Sequence, residues 1–359
     1  MNPEFWQNRR VLVTGHTGFK GGWLSLWLQE LGAEVFGFSI DIPTQPSLYE
    51  LAGVSKGMTS VTGDVRDLRS LSDFLAETNP EIVIHMAAQS LVRRSYSHPV
   101  ETFSTNIMGT VNVLEALRQS GSARVLIVVT SDKCYENFEC EAGYREQDPM
   151  GGFDPYSSSK GCAELVTAAY RNSFFNPADI DSHSKAVASV RAGNVIGGGD
   201  WAEDRLIPDI VAALHAGQVP EIRNPEAVRP WQFVLDPLNG YLTLAEHLWR
   251  DGVTYSGAWN FGPDNADATQ VANVAARLAS IWAGQASWRQ RDPGDQPHEA
   301  TYLKLDSSKA RSQLRWTPAV DLKTSLEWVV EWYKHHFSAI DAREITLAQI
   351  NKFRQRATQ

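Results

Sequence analysis

The chain predicts a doubly wound α/β protein: a parallel sheet with helices on both faces, followed by a smaller mixed α/β lobe toward the C-terminus. Three observations carry this. Short β-branched runs alternate with longer helical patterns through about residue 190, the signature of βαβ units. Gly15, Gly18 and Gly21 punctuate the turn between the first such run and the first helix, a Rossmann-like arrangement. After Arg191 the regular alternation breaks at Gly197-Gly198-Gly199 and at several prolines.

The elements follow in order. Arg10–Thr14 is apolar enough for a strand covered on both faces, and Gly18–Leu31 is the helix after the glycine turn. Strands are predicted at Glu34–Ile40 and Met58–Thr62, then a helix at Leu68–Glu77 with Asp67 placed to cap it. A strand at Ile82–His85, a long helix over Pro99–Gln119 and a strand at Val125–Val129 come next. Pro155 opens a helix running to Phe175, proline being tolerated in a first turn, and Ala186–Arg191 is the sixth strand. Helical patterns recur at Leu206–Ala216, Val271–Ala283 and Leu322–Phe337. Val234-Leu235-Asp236 and Gly257–Phe261 read as returns to the first lobe. The expected division, residues 1–191 for a dinucleotide and 192–359 mainly for substrate, is therefore interrupted near 230–261.

Composition narrows the function classes. With 359 residues and 43% hydrophobic content the chain can bury a large core or two modest ones. A formal charge of −9 argues against nucleic acid as a partner, since phosphate backbones want a basic surface. Three cysteines, Cys134, Cys140 and Cys162, make no disulfide framework, and no His/Cys cluster has metal-ligand spacing, so no metal is expected. No signal-like or 18-residue apolar segment stands out, which favours a cytoplasmic chain without a membrane partner. Twelve tryptophans are read mainly as packing.

At the nucleotide end, Gly15 permits the tight turn, Gly18 lets backbone approach a pyrophosphate, and Gly21 lets the helix pack on the strand; Thr17 and Phe19 lie between them. Asp41, just past the second strand, is placed to hold an adenosine ribose or to serve as a surface turn residue. No Arg or Lys occurs between Glu34 and Glu50, which favours NAD over its 2′-phosphorylated form. Asp64 and Val65 follow the third strand, where an Asp can meet an adenine amino group. Ala87 and Ala88 end the fourth, where small residues allow backbone to lie against a cofactor. Gln89 closes that run as a candidate substrate contact.

The reacting end is carried by two segments. Tyr156 and Lys160 stand four apart in Tyr156-Ser157-Ser158-Ser159-Lys160, one above the other on a helix face, where an ammonium can lower a phenol's pKa. Thr130-Ser131-Asp132-Lys133 ends the fifth strand, with Thr130 toward the cofactor, and adds a carboxyl and an amine. Alone it would equally suit a strand-end turn with a surface salt bridge. A Tyr–Lys pair can oxidise an alcohol; a second acid/base pair beside it points to a further step.

These motifs together, TGxxGFxG, GDVRD, HMAAQ, Thr105–Thr110 and YxxxK, resemble the extended short-chain dehydrogenase/reductases over essentially the whole chain. TSDK with the runs Arg191–Trp201 and Arg229–Gln232 resembles the cytidine-diphosphate branch of the nucleotide-sugar 4,6-dehydratases. That resemblance implies an NAD cofactor, a CDP-glucose substrate and a 4-keto-6-deoxy sugar product of the kind used in lipopolysaccharide O-antigen. It also implies a homodimer through the helices near 99–119 and 155–175. It assigns Tyr156 as base on the 4-hydroxyl and Lys160 to the nicotinamide ribose. Ser131 is assigned to the 4-oxygen, Asp132 as acid for the departing 6-hydroxyl, and Lys133 to a position where relatives carry a Glu base. Asn194 is an implied contact to the substrate diphosphate; Arg205 and Arg229 are candidates for the same role because a guanidinium fork fits phosphate oxygens. Trp201 or Trp231 is a candidate wall for the base or else core packing, and His298-Glu299 lies where relatives carry a phosphate-binding stretch whose Arg has no counterpart here.

A lysine base has a physical requirement. A free Lys titrates near ~10.4 and a useful base near ~7–8, so the site must disfavour the ammonium by roughly 4 kcal/mol. An uncharged Asp132/Lys133 pair, or one sharing a proton, meets that requirement. Two other readings remain open at this point: a nucleotide-sugar 4-epimerase, which needs no second acid/base pair, and a non-catalytic dinucleotide-sensing protein.

Overall fold

The computed structural model describes residues 1–284, 287–291 and 302–358. Strands β1 (Arg10–Thr14), β2 (Glu34–Ser39), β3 (Met58–Thr62), β4 (Ile82–His85), β5 (Val125–Val129) and β6 (Ala186–Ala192) join Gly257–Phe261 in a seven-stranded sheet. The order from one edge is Gly257–Phe261, β6, β5, β4, β1, β2, β3, and every pairing is parallel.

Strand residues alternate between faces, and the alternation builds two cores. Leu12, Val83, Leu126 and Val187 stand in register across β1, β4, β5 and β6 and pack with Leu71, Phe74, Leu114 and Leu117 from helices Leu68–Thr78 and Gly109–Gln119. Their neighbours Val11, Val13, Ile84 and Ile127 point the other way, against helices Phe19–Glu30 and Leu235–Arg250. Trp6, Trp23, Trp27, Trp259 and Trp332 are fully buried, which is the packing use expected of the tryptophans.

Helix Leu235–Arg250 starts in the second lobe and returns to pack on β5 and β6. The second lobe holds a three-stranded sheet in which Asn194–Ile196 and Ala268–Gln270 flank Val228–Phe233, with helices Leu206–His215, Val271–Ala283 and Leu322–Phe337. One element departs from its sequence pattern. The run Pro99–Gln119 is helical throughout but loosens into a π turn at Ser104–Met108. Such a turn inserts backbone without breaking the apolar face, so periodicity does not reveal it. Among the described residues no helix is long and apolar enough to cross a membrane.

Candidate active site

Strand order reverses on either side of β1, and in such sheets the crevice beyond the strands' carboxyl ends holds the ligand. A cleft of ≈ 1510 Å³ lies there, between the sheet and the second lobe. Its cofactor wall is the glycine turn. Gly15 has φ +75°, and a Cβ on it would stand 2.7 Å from the Ala87 amide nitrogen. A Cβ on Gly21 would lie 2.1 Å from the Gly15 carbonyl oxygen, so helix Phe19–Glu30 sits directly on the turn. The helix begins at Gly18 without a side-chain cap, which leaves its first amides to an anion in the cleft. These features fit a dinucleotide diphosphate.

The other predicted cofactor contacts line the same wall. The Thr17 hydroxyl donates to the Asp41 carbonyl oxygen at 2.6 Å, and Asp41 is exposed at the cleft mouth. Asp64 pairs with Arg66 at 2.6 Å, which holds its carboxyl below the usual range; the helix cap is Asp67, which accepts from the Arg69 and Ser70 amides. Val65 is buried, and its carbonyl accepts from Asn112. Ala87 and Ala88 complete the wall.

At the end of β5 the chain turns through Asp132–Cys134, with the Ser131 hydroxyl accepting from the Lys133 amide at 3.2 Å. The same hydroxyl donates to Asp132 Oδ1 at 2.9 Å, while Oδ2, buried, has no hydrogen-bond partner. Burial raises the Asp132 carboxyl above its ordinary pKa, with Lys133 and Arg229 opposing the shift. Space for Oδ2 exists because residue 193 is glycine: a Cβ there would stand 2.9 Å from it. Lys133 is half-buried on the cleft wall.

Helix Pro155–Ser173, capped by Asp154, carries Tyr156 and Lys160 into this corner. One expectation does not hold here. Lys160 was expected to lower the Tyr156 pKa, but its ammonium donates to the Val129 carbonyl at 3.2 Å. Burial dominates the phenol and pushes it up to about 12, with Ser131 drawing it back. Burial also lowers Lys160 to about 8, and Glu164 works against that shift. Helix spacing brought the two residues to one face but did not set the direction of the ammonium.

Several residues here escaped sequence reasoning. Glu164 accepts from Thr130, Ser189 and Arg191, joining β5, β6 and helix Pro155–Ser173 beneath TSDK. Lys20 is half-buried and donates to the Tyr241 hydroxyl at 3.0 Å; burial, then Lys160 and Arg205, lower it to about 7. Asn106 in the π turn clasps both backbone groups of Gln89 and donates to Ser159. The Gln89 amide, expected to meet substrate, donates to the Leu91 carbonyl and Thr102 and accepts from the Leu91 amide, so it holds the cleft wall together.

On the substrate side Asn194, Arg205 and Arg229 all line the cleft. Arg205 pairs with Asp200 at 3.0 Å, and Arg229 is buried with one nitrogen on the Val228 carbonyl. Trp201 packs edge-on against Tyr333 at 5.2 Å within an aromatic cluster, and Trp231 is buried with its indole N–H on the Thr269 carbonyl. His298-Glu299 lie outside the described residues.

Comparison with known proteins bears on this site. The family model described as GDP-mannose 4,6 dehydratase matches residues 12–329. The chain is 54% identical to the CDP-glucose 4,6-dehydratase of Salmonella typhimurium, over 93% of each chain. It is 27% identical to a dTDP-glucose 4,6-dehydratase of Xanthomonas campestris pv. campestris, over 90% of this chain and 92% of the relative. Its fold superposes on the dTDP-glucose 4,6-dehydratase of Bacillus anthracis in complex with NAD. There the TM-score is 0.76 at 20% identity, covering 93% of this chain and 99% of the other.

Proposed function

Because the chain belongs to the GDP-mannose 4,6-dehydratase family of extended short-chain dehydrogenase/reductases, we propose that it converts CDP-glucose to CDP-4-keto-6-deoxyglucose. It is an NAD-dependent nucleotide-sugar 4,6-dehydratase. The observation that carries the dehydratase reading is the buried Asp132 carboxyl, one oxygen unpartnered, beside Tyr156 and Ser131. An epimerase has no use for it.

NAD, when bound along the glycine turn, would supply reversible hydride chemistry between C4 and C6 of the sugar. The chain's residues do the rest. Tyr156 takes the 4-hydroxyl proton, and Ser131 holds the 4-oxygen. The 4-ketone acidifies the C5 proton, which Lys133 accepts while Asp132 protonates the departing 6-hydroxyl. C5 regains a proton at the end, so no net redox change remains. Burial raises the Asp132 carboxyl, which suits it better than a free carboxyl to donate a proton. Gly15, Thr17, Gly18, Phe19, Gly21, Asp41, Asp64, Val65, Ala87, Ala88, Thr130 and Lys160, which line the cleft, would hold the cofactor, and Asn194, Arg205 and Arg229 would hold the substrate diphosphate, where guanidinium forks suit phosphate oxygens.

Incubation with CDP-, dTDP- and UDP-glucose tests the substrate. A 4-keto-6-deoxy product from CDP-glucose is expected, and turnover of the other two alone would reject the cytosine assignment. In Lys133→Ala, C5 proton exchange with solvent should be lost; unchanged exchange would remove Lys133 as the base. We place the protein in the cytoplasm and read it as a homodimer; the dimer is supported by Val100, Met108 and Leu165, exposed at 80%, 50% and 59% on the two predicted interface helices. A monomeric mass by light scattering would refute the dimer. The product class fits a role in supplying deoxysugars for O-antigen.

A further inference from the structure

Glu164 has no part in the chemistry above, yet it lies directly beneath it, behind the cleft wall rather than on it. Tyr156, Lys160 and Glu164 stand four apart on one face of helix Pro155–Ser173, so they reach the end of β5 from successive turns. There they meet three consecutive residues. Glu164 Oε1 accepts from the Thr130 hydroxyl at 2.5 Å, the Lys160 ammonium donates to the Val129 carbonyl at 3.2 Å, and the Tyr156 hydroxyl faces Ser131. The other Glu164 oxygen accepts from Ser189 and Arg191 on β6, each at 2.7 Å.

Stability alone does not call for a charge here. Glu164 and Arg191 are each 4% exposed, and a buried ion pair is often no more stabilising than apolar side chains of the same volume. What the pair supplies is direction. With Oε2 fixed by two donors on β6, Oε1 is aimed at Thr130, the first residue of TSDK. The Ser131 hydroxyl and the Asp132 carboxyl follow on the same short turn, joined by a hydrogen bond of 2.9 Å. A shift of Thr130 would move both of them relative to Tyr156, and misplacing reacting groups by about 1 Å can cost roughly 100-fold in rate.

We propose that Glu164 is a positioning residue for the dehydratase reaction: it holds Thr130 so that Ser131 and Asp132 stand at the right depth against Tyr156. This rests on the dehydratase reading above. The reaction then depends on the reach of this side chain, while the fold depends on its charge.

Two substitutions separate reach from charge. Glu164→Asp keeps a charge for Arg191 but falls one methylene, about 1.5 Å, short of Thr130. Glu164→Gln keeps the length and removes the charge. Its carbonyl can accept from Arg191 and Ser189 while its amide donates to Thr130, whose hydroxyl also lies 3.2 Å from the Val190 carbonyl. The measurement is kcat and KM for CDP-glucose, expressed per NADH-binding site counted by fluorescence titration, beside the midpoint of urea unfolding. Glu164→Asp should unfold at higher urea than Glu164→Gln, yet have the lower kcat per site, roughly ten- to hundredfold below wild type. KM should stay within about twofold, because no contact to substrate is removed. A purely structural role would make activity follow stability, so an Asp variant more active per site than the Gln variant overturns the proposal. If Glu164→Gln does not fold, Glu164→Asp decides alone: a kcat per site near the wild-type value overturns the proposal, and the stated loss at unchanged KM supports it. A wild type that turns over no nucleotide-glucose refutes the underlying dehydratase reading, a distinct outcome.

Discussion

At the scale of single residues, the proposed chemistry turns on Asp132, whose carboxyl is shifted by burial toward its neutral form. Its carboxyl is buried, Ser131 donates to one oxygen, and the other meets no partner across the space left by Gly193. Desolvation favours the neutral acid, and the neutral acid is the form that can donate to a leaving hydroxyl. Asp132→Asn keeps the shape and removes the proton. Oxidation at C4 should survive, so absorbance of reduced NAD should build up on mixing with substrate, while product formation falls at least ~100-fold. If the ketone product still forms at the wild-type rate, Asp132 is not the acid. TSDK and YSSSK were legible in the sequence because each is a contiguous run whose local geometry follows from one turn or one helix. Lys20 and Glu164 were not. Lys20 meets Tyr241 and Glu164 meets Arg191, and both contacts depend on parts of the chain distant in sequence.

At the scale of elements, the proposed catalytic corner is a junction of β5, β6 and helix Pro155–Ser173, and Glu164 ties the three together. Its carboxylate faces Arg191, Ser189 and Thr130 in a buried network, and Arg191 in turn donates to Tyr135. Removing one charge from a buried pair leaves the other uncompensated, so Glu164→Gln should lose about 3–5 kcal/mol in denaturant unfolding. A loss well under 1 kcal/mol would show that the network does not hold the corner. The strands were readable because dense β-branched runs between turn signals have few other uses. The π turn at Ser104–Met108 was hidden, since an apolar face continues through it. Yet it presents Asn106 to Gln89 and Ser159.

At the scale of the whole molecule, the two lobes are interwoven rather than strung in sequence. Gly257–Phe261 is an edge strand of the first sheet, and the helix beginning at Leu235 packs beneath it. Asp236 sits at that crossing, fully buried, accepting from the Ala319 amide at 2.6 Å with its other oxygen unpartnered. Burial pushes its carboxyl up to about 8. The folded state therefore holds a proton that the unfolded chain gives up above pH ~4, and stability falls as pH rises from there to about 8, then levels. By pH 7 the effect is at most roughly 4 kcal/mol. Asp236→Asn keeps the acceptor for Ala319 and removes the titration, so its unfolding free energy should gain on the wild type between pH 5 and pH 8. Parallel pH profiles would contradict this. The return of the chain to the first sheet was visible as a short apolar strand after a change of texture, but the proton at the crossing was not, because it depends on a contact between residues 236 and 319.

The dehydratase reading makes one demand that no epimerase or simple dehydrogenase shares: the hydrogen taken from C4 must reappear at C6 of the same sugar. Turnover of CDP-glucose deuterated at C4, followed by NMR of the product, tests that directly. Deuterium on C6, with no net reduction of NAD, is the predicted result. Deuterium still at C4, or none in the product, would contradict it.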